Sequence, residues 1–200
     1  MKRLLSFLLV LALAIGFCAC QKGDQATAPT NTAVSAATPE QVAESFLTAM
    51  YGQDAQGVVA HFPDYTLDLV MQMAELDPNT ADKRQAITDS LTQSFAEEPD
   101  KVTAITVETE LAEPFLKDSY LQTVQEYYIG SGLVTQEEVD QVEDVVFVAY
   151  NAELSYESGR QTSITDFRAM IPCVKVDGQW YVDFYYLTMA TPDRSHGSND

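Results

Sequence analysis

The apolar residues of this chain change their period near Asp100. Before that point they recur at helical spacing: Val42, Phe46, Ala49 and Met50; then Val58, Val59 and Phe62; then Leu67, Val70, Met71 and Ala74; then Ile87, Leu91 and Phe95. Each set falls on one side of a helix. After that point KVTAITVETE alternates β-branched residues with period two, and VVFVAYNAELSY, QTSITDFRAMIPCVKV and QWYVDFYYLTMA continue as strands. Helices first and strands afterwards predict an α+β fold, with N-terminal helices packed on a curved antiparallel sheet of about four strands, cone-like in shape.

Local signals punctuate these elements. Thr38 can cap the first helix, Pro39 suits its first turn, and Gln41 completes a capping box, while Gly52 is expected to close it in a left-handed conformation. Asp54 caps a short second helix that Pro63 helps to stop. Pro114 opens another helix whose apolar face holds Leu116, Tyr120, Val124, Tyr127 and Tyr128, closed by Gly130 and Gly132. Thr135 and Glu138 form a second capping box for a short acidic helix expected to end near Asp144.

The strongest hairpin signal is Asp177-Gly178. A two-residue turn there pairs Val176 with Gln179, Lys175 with Trp180, Cys173 with Val182 and Ile171 with Phe184. One face then carries Ala169, Ile171, Cys173, Trp180, Val182, Phe184 and Tyr186. Being the more apolar, it is assigned to the helices. The other face carries Met170, Pro172, Val174, Val176, Tyr181, Asp183 and Tyr185, with Asp166 and Arg168 further along. Tyr181, Tyr185, Val174 and Met170 would form an apolar patch there, suited to dimerisation unless the long C-terminal tail or an N-terminal helix covers it. Lys175 could rest its ammonium over the Trp180 indole.

The N-terminus reads as an address. Lys2 and Arg3 precede an apolar run from Leu4 to Phe17, too short for the ~20 residues that cross a bilayer as a helix. Phe17-Cys18-Ala19-Cys20 resembles a bacterial lipobox, with the small Ala19 before Cys20, so diacylglycerol is expected on the Cys20 sulfur. Each buried acyl methylene contributes about 0.8 kcal/mol to such an anchor. The expected organisation is a signal peptide at 1–19, a lipidated cysteine and tether at 20–37, one domain at 38–190 and a polar tail at 191–200. As a flexible coil the tether would span about 20–25 Å.

Charge and cysteine content narrow the function. With 11 basic and 30 acidic residues the formal charge is −19, and loss of Lys2 and Arg3 makes it more negative still. Nucleic acid phosphates and anionic headgroups are repelled, so nucleic acid is excluded and the membrane is reached through lipid alone. Of the three cysteines only Cys173 belongs to the domain, which must stand on its core without a disulfide.

A helix opened by Thr38-Pro39-Glu40 and ended by a Gly-x-Asp step, a long middle, and a final hairpin carrying Asp-Gly-Gln-Trp-Tyr-Val-Asp resemble lipoproteins of unknown function with a nuclear-transport-factor-two-like, or cystatin-like, cone fold. That resemblance implies a pocket between sheet and helices, often a dimer through the outer sheet face, and no fixed catalytic set. No phosphate loop, metal-binding helix or nucleophile elbow occurs, and residues 137–144 lack the spacing of a calcium loop, so no cofactor, metal or catalytic set is expected.

The function expected first is a membrane-anchored extracytoplasmic lipoprotein that binds a small ligand or peptide without transforming it. Trp180, Tyr120, Tyr127, Tyr128 and His61 would line the pocket, with Trp180 in part simply core wall. The alternative is a homodimer or an envelope protein partner bound through the Tyr181 and Tyr185 face. A pocket enzyme using His61 as base is the third reading.

Overall fold

A computed structural model describes residues 37–112, 122, 126, 128–132 and 134–183, with Arg168 described by its backbone. The expected signal segment, lipobox and most of the tether therefore lie outside the described residues, as do Phe184, Tyr185, Tyr186 and the tail. No helix among the described residues is long and apolar enough to cross a membrane.

Helix α1 spans Pro39–Tyr51, and both halves of its capping box form: the Gln41 amide donates to Thr38 Oγ1 at 3.4 Å and the Thr38 amide to Gln41 Oε1 at 3.0 Å. Its end differs from expectation. Gly52 stays right-handed at φ −74° because its amide still donates to the Thr48 carbonyl at 2.8 Å. The left-handed residue is Gln53, at φ 59°. Helix α2, Ala55–Ala60, is capped by Asp54 as expected. A 3-10 turn at Asp64–Thr66 leads into α3, Leu67–Met73, and α4 spans Lys83–Ala96.

Four antiparallel strands follow in the order β1-β2-β3-β4: Val102–Leu111, Val142–Tyr156, Gln161–Val176 and Gln179–Val182. The sheet curls into a half-barrel over the helices, giving the α+β, cone-like architecture that the change of period implies. Before β2, residues 122, 126 and 128–131 are helical, and α5 covers Gln136–Asp140. Helix α5 keeps its capping box but stops short of Asp144, because β2 already begins at Val142.

The final hairpin has the expected register, with Cys173 opposite Val182, Lys175 opposite Trp180 and Val176 opposite Gln179. The Lys175 ammonium lies 3.5 Å from the Glu143 carboxylate, whose other oxygen accepts from the Gly178 amide at 2.9 Å. Further along β3 the alternation breaks. Thr165, Asp166, Phe167 and Arg168 stand opposite the single Asn151, between the pairs Tyr150 with Ala169 and Ala152 with Ile164. Asp166 and Phe167 take φ values of 66° and 48°, and the Phe167 amide donates to the Asn151 side chain at 2.9 Å. A bulge of this size bends the strand and sharpens the twist. The positive φ at Asp166 breaks the simple alternation by which it was assigned a face.

Both faces of the sheet are covered. On one, Val148, Tyr150, Ala152, Ile171, Cys173 and Val182 meet the apolar sides of α1 to α4, including Phe46, Met71 and Phe95. On the other, Val145, Phe147, Val174 and Val176 meet Tyr65, Leu69, Tyr128, Val134 and Val139. This second core corrects the open association face expected from the sequence. Val174 is completely buried and Tyr181 is half-buried against the same cluster, because Tyr128, Val134, Val139 and the turn before α3 pack over them. Of the four residues expected at an interface, Met170 is exposed and Tyr185 lies outside the described residues.

The two cores join around β4. The Val182 amide donates to the His61 carbonyl at 2.8 Å, so the segment after α2 lies against the strand's outer edge. Covering an edge in this way blocks its pairing with another chain. Beyond it, Leu67, Val70 and Met71 turn into the first core while Tyr65 and Leu69 turn into the second.

Candidate functional site

The three expected pocket residues that are described, Trp180, His61 and Tyr128, lie on both sides of the sheet. Trp180 is half-buried and packs on the first core, as core wall. His61 belongs to the same side, its ring edge-on to Phe46 with centroids 6.0 Å apart. Tyr128, expected beside them, is instead completely buried in the second core, because its helix crosses the opposite face of the sheet. Tyr120 and Tyr127 lie outside the described residues.

His61 is held by its own helix. Nδ1 lies 2.6 Å from the Gly57 carbonyl, and since a carbonyl can only accept, Nδ1 carries the proton. Nε2 then presents a lone pair, buried and without a hydrogen-bond partner. Burial lowers the imidazole pKa, with the Gly57 bond and then the Asp54 charge acting weakly the other way. The segment that carries His61 is pinned by Arg84, which donates to the Val59 carbonyl at 2.7 Å, the Phe62 carbonyl at 2.8 Å and Asp64 Oδ1 at 2.7 Å. Gly57 permits the close approach of α1 and α2, because a Cβ there would sit 2.6 Å from Asp54 Oδ2 and 2.9 Å from the Ala49 Cβ.

The second core contains the densest buried chemistry. Asp183 is completely buried, its amide donating to the Pro172 carbonyl at 3.0 Å and its carboxylate accepting from the Tyr128 hydroxyl. Tyr65 stands edge-on to the Tyr128 ring, centroids 6.2 Å apart at 89°. Its hydroxyl is buried and has no hydrogen-bond partner. Burial pushes the Tyr65 pKa well up, and the nearby negative charge of Asp183 adds to the rise. A buried carboxylate needs hydrogen-bonding partners to offset its desolvation, and Tyr128 is one. Tyr65, in contrast, is a buried donor whose oxygen has no hydrogen-bond partner.

Sequence reasoning assigned Asp183 to the outer face and left Tyr65 without a role. The available signal was Asp183 itself, a carboxylate between Val182 and Phe184 in the most aromatic strand of the chain. Cys173 is inert here: burial, and then Glu40, push its thiol pKa far up, and Sγ lies 3.6 Å from the Pro39 carbonyl. Among the described residues no group of three His, Cys, Asp or Glu side chains is placed to hold a metal ion. The chain matches no family model, no curated protein and no solved structure.

Proposed function

We propose that this chain is a lipoprotein, anchored through Cys20 on the extracytoplasmic face of a cell membrane, whose cone-like domain binds a small ligand or peptide without transforming it. The observation that carries the binding reading is the buried Tyr65 hydroxyl, which has no partner and lies beside the Asp183 and Tyr128 pair. A buried donor left unmade costs about 1–3 kcal/mol, which an arriving acceptor would recover. The basic start, the apolar run and the Ala19-Cys20 step support the anchor, and the acidic balance makes lipid the means of attachment. The likeness of both ends of the domain to nuclear-transport-factor-two-like lipoproteins belongs to the same proposal.

Fractionation tests the anchor: the chain should follow membranes and take up labelled palmitate, and Cys20→Ala should abolish both. A thermal-shift and Trp180-fluorescence screen over chemically diverse metabolites and short peptides tests the binding, and a flat response across the whole collection would refute it.

A second reading, a protein-interaction module, is favoured by the exposed end of the sheet around Met170 on β3. Met170 is an exposed large apolar residue at 39%, Glu110 lies in the same row across Ala149, and Glu108, Glu110 and Glu153 are exposed. Light scattering of the purified chain and pull-down with Met170→Asp as control would separate this reading from the first.

A further inference from the structure

Among the described residues strand β1 has one hydrogen-bonded neighbour, β2, so its other side is an edge of the sheet. The Ala112 amide donates to the Phe147 carbonyl at 2.8 Å, which fixes the parity of the ladder: Thr106, Glu108 and Glu110 direct their main-chain groups to β2. The amides and carbonyls of Ile105, Val107, Thr109 and Leu111 therefore point away from the sheet, and no hydrogen bond from another described residue meets them. The β4 edge is covered by the segment carrying His61, whereas this one also lacks a proline or bulge between Ile105 and Leu111 that would block pairing.

The two faces of β1 carry opposite chemistry. Thr106, Glu108 and Glu110 are exposed, as is Glu153 opposite Thr106, and no described basic side chain pairs with these three glutamates. On the other face Val107 packs on the first core and Leu111 is 53% exposed.

Resting on the interaction-module reading above, we propose that β1 receives an extended basic segment of another protein as an added antiparallel strand. Its main chain bonds to the outward groups of Ile105, Val107, Thr109 and Leu111. Lysines or arginines at every second position stand beside Glu108 and Glu110, and the apolar residues between them face Leu111. A second copy of this chain is the poorer occupant. Pairing β1 with itself sets the glutamates of both copies on one face, and each copy carries a formal charge of −19.

Fluorescence anisotropy of the full chain tests the inference with a short peptide alternating lysine and valine, its glutamate-valine counterpart, and the lysine peptide methylated on its valine nitrogens. The lysine peptide should bind at least about tenfold tighter than the glutamate peptide. Methylation keeps the charge but removes the amides that meet β1, and should weaken binding about tenfold or more. Glu108→Lys combined with Glu110→Lys, both at exposed positions, should reverse the preference between the two charged peptides. No binding of the lysine peptide, equal affinity after methylation, or an unreversed preference in the double variant overturns strand addition by a basic segment, and the pull-down with Met170→Asp then decides the interaction reading separately. A dimer in light scattering that Thr109→Pro converts to monomer, by removing one outward amide, would assign the edge to a second copy and overturn it as well.

Discussion

The two cores on either side of the sheet are built differently. The first takes its residues from four helices and three strands and is almost wholly hydrocarbon, with His61 at its edge bonded to its own helix. The second is smaller, draws on the 3-10 turn, the start of α3 and Tyr128, Val134 and Val139, and buries the Asp183 carboxyl with two tyrosines. Dry hydrocarbon is where burial stabilises most, at about 25 cal/mol per Å². A buried carboxylate offsets much of that gain through desolvation. The first core is therefore the larger source of stability, and the second bears the cost of burying polar groups.

Mutations can break or sharpen this division. Phe46 is completely buried at the centre of the first core, so Phe46→Ala should cost about 3–5 kcal/mol by denaturant unfolding. Leu69→Ala in the second core should cost less; an equal loss would make the two cores equal partners and end the distinction. Gly57→Ala should cost about 1–3 kcal/mol, because the new methyl collides with Ala49 and the Asp54 cap.

Within the second core the tyrosines should separate. Tyr128→Phe removes a donor from buried Asp183 and should cost about 1–3 kcal/mol. Tyr65→Phe removes a hydroxyl that bonds to nothing and should be neutral or slightly stabilising. Comparable losses from the two variants would show Tyr65 to be bonded in solution.

The smallest effect is a pH dependence. The folded His61 pKa lies below its ordinary value of about 6.5, so in the interval between the two the unfolded chain binds the extra proton. The stability that His61 contributes is complete above about 6.5 and is lost as pH falls from there through the folded pKa. His61→Gln should flatten that part of the stability profile, and an unchanged slope would place the imidazole in water.

The elements most legible in the sequence are those fixed by neighbours along the chain. Asp177-Gly178 sets the last hairpin residue by residue because a two-residue turn admits one register. Thr38 with Gln41 and Thr135 with Glu138 start their helices because both partners lie within one turn. What could not be read depends on distant packing. Alternation separates Val174 and Tyr181 from Trp180 and Val182, but it does not say that Tyr128, Val134 and Val139 will return to cover the first pair. The bulge opposite Asn151 uses Asp166 and Phe167 in a left-handed conformation where no glycine marks it. The candidate site was missed for the same reason, since Tyr65, Tyr128 and Asp183 meet only once the second face is closed.

The bond between the Val182 amide and the His61 carbonyl has a consequence for biogenesis. It ties the segment after the second helix to the last described strand, so the strip of early helix next to His61 stays uncovered until that strand has been made. A product truncated ahead of Val182 would keep that strip bare, inviting capture by chaperones or clumping with its own kind.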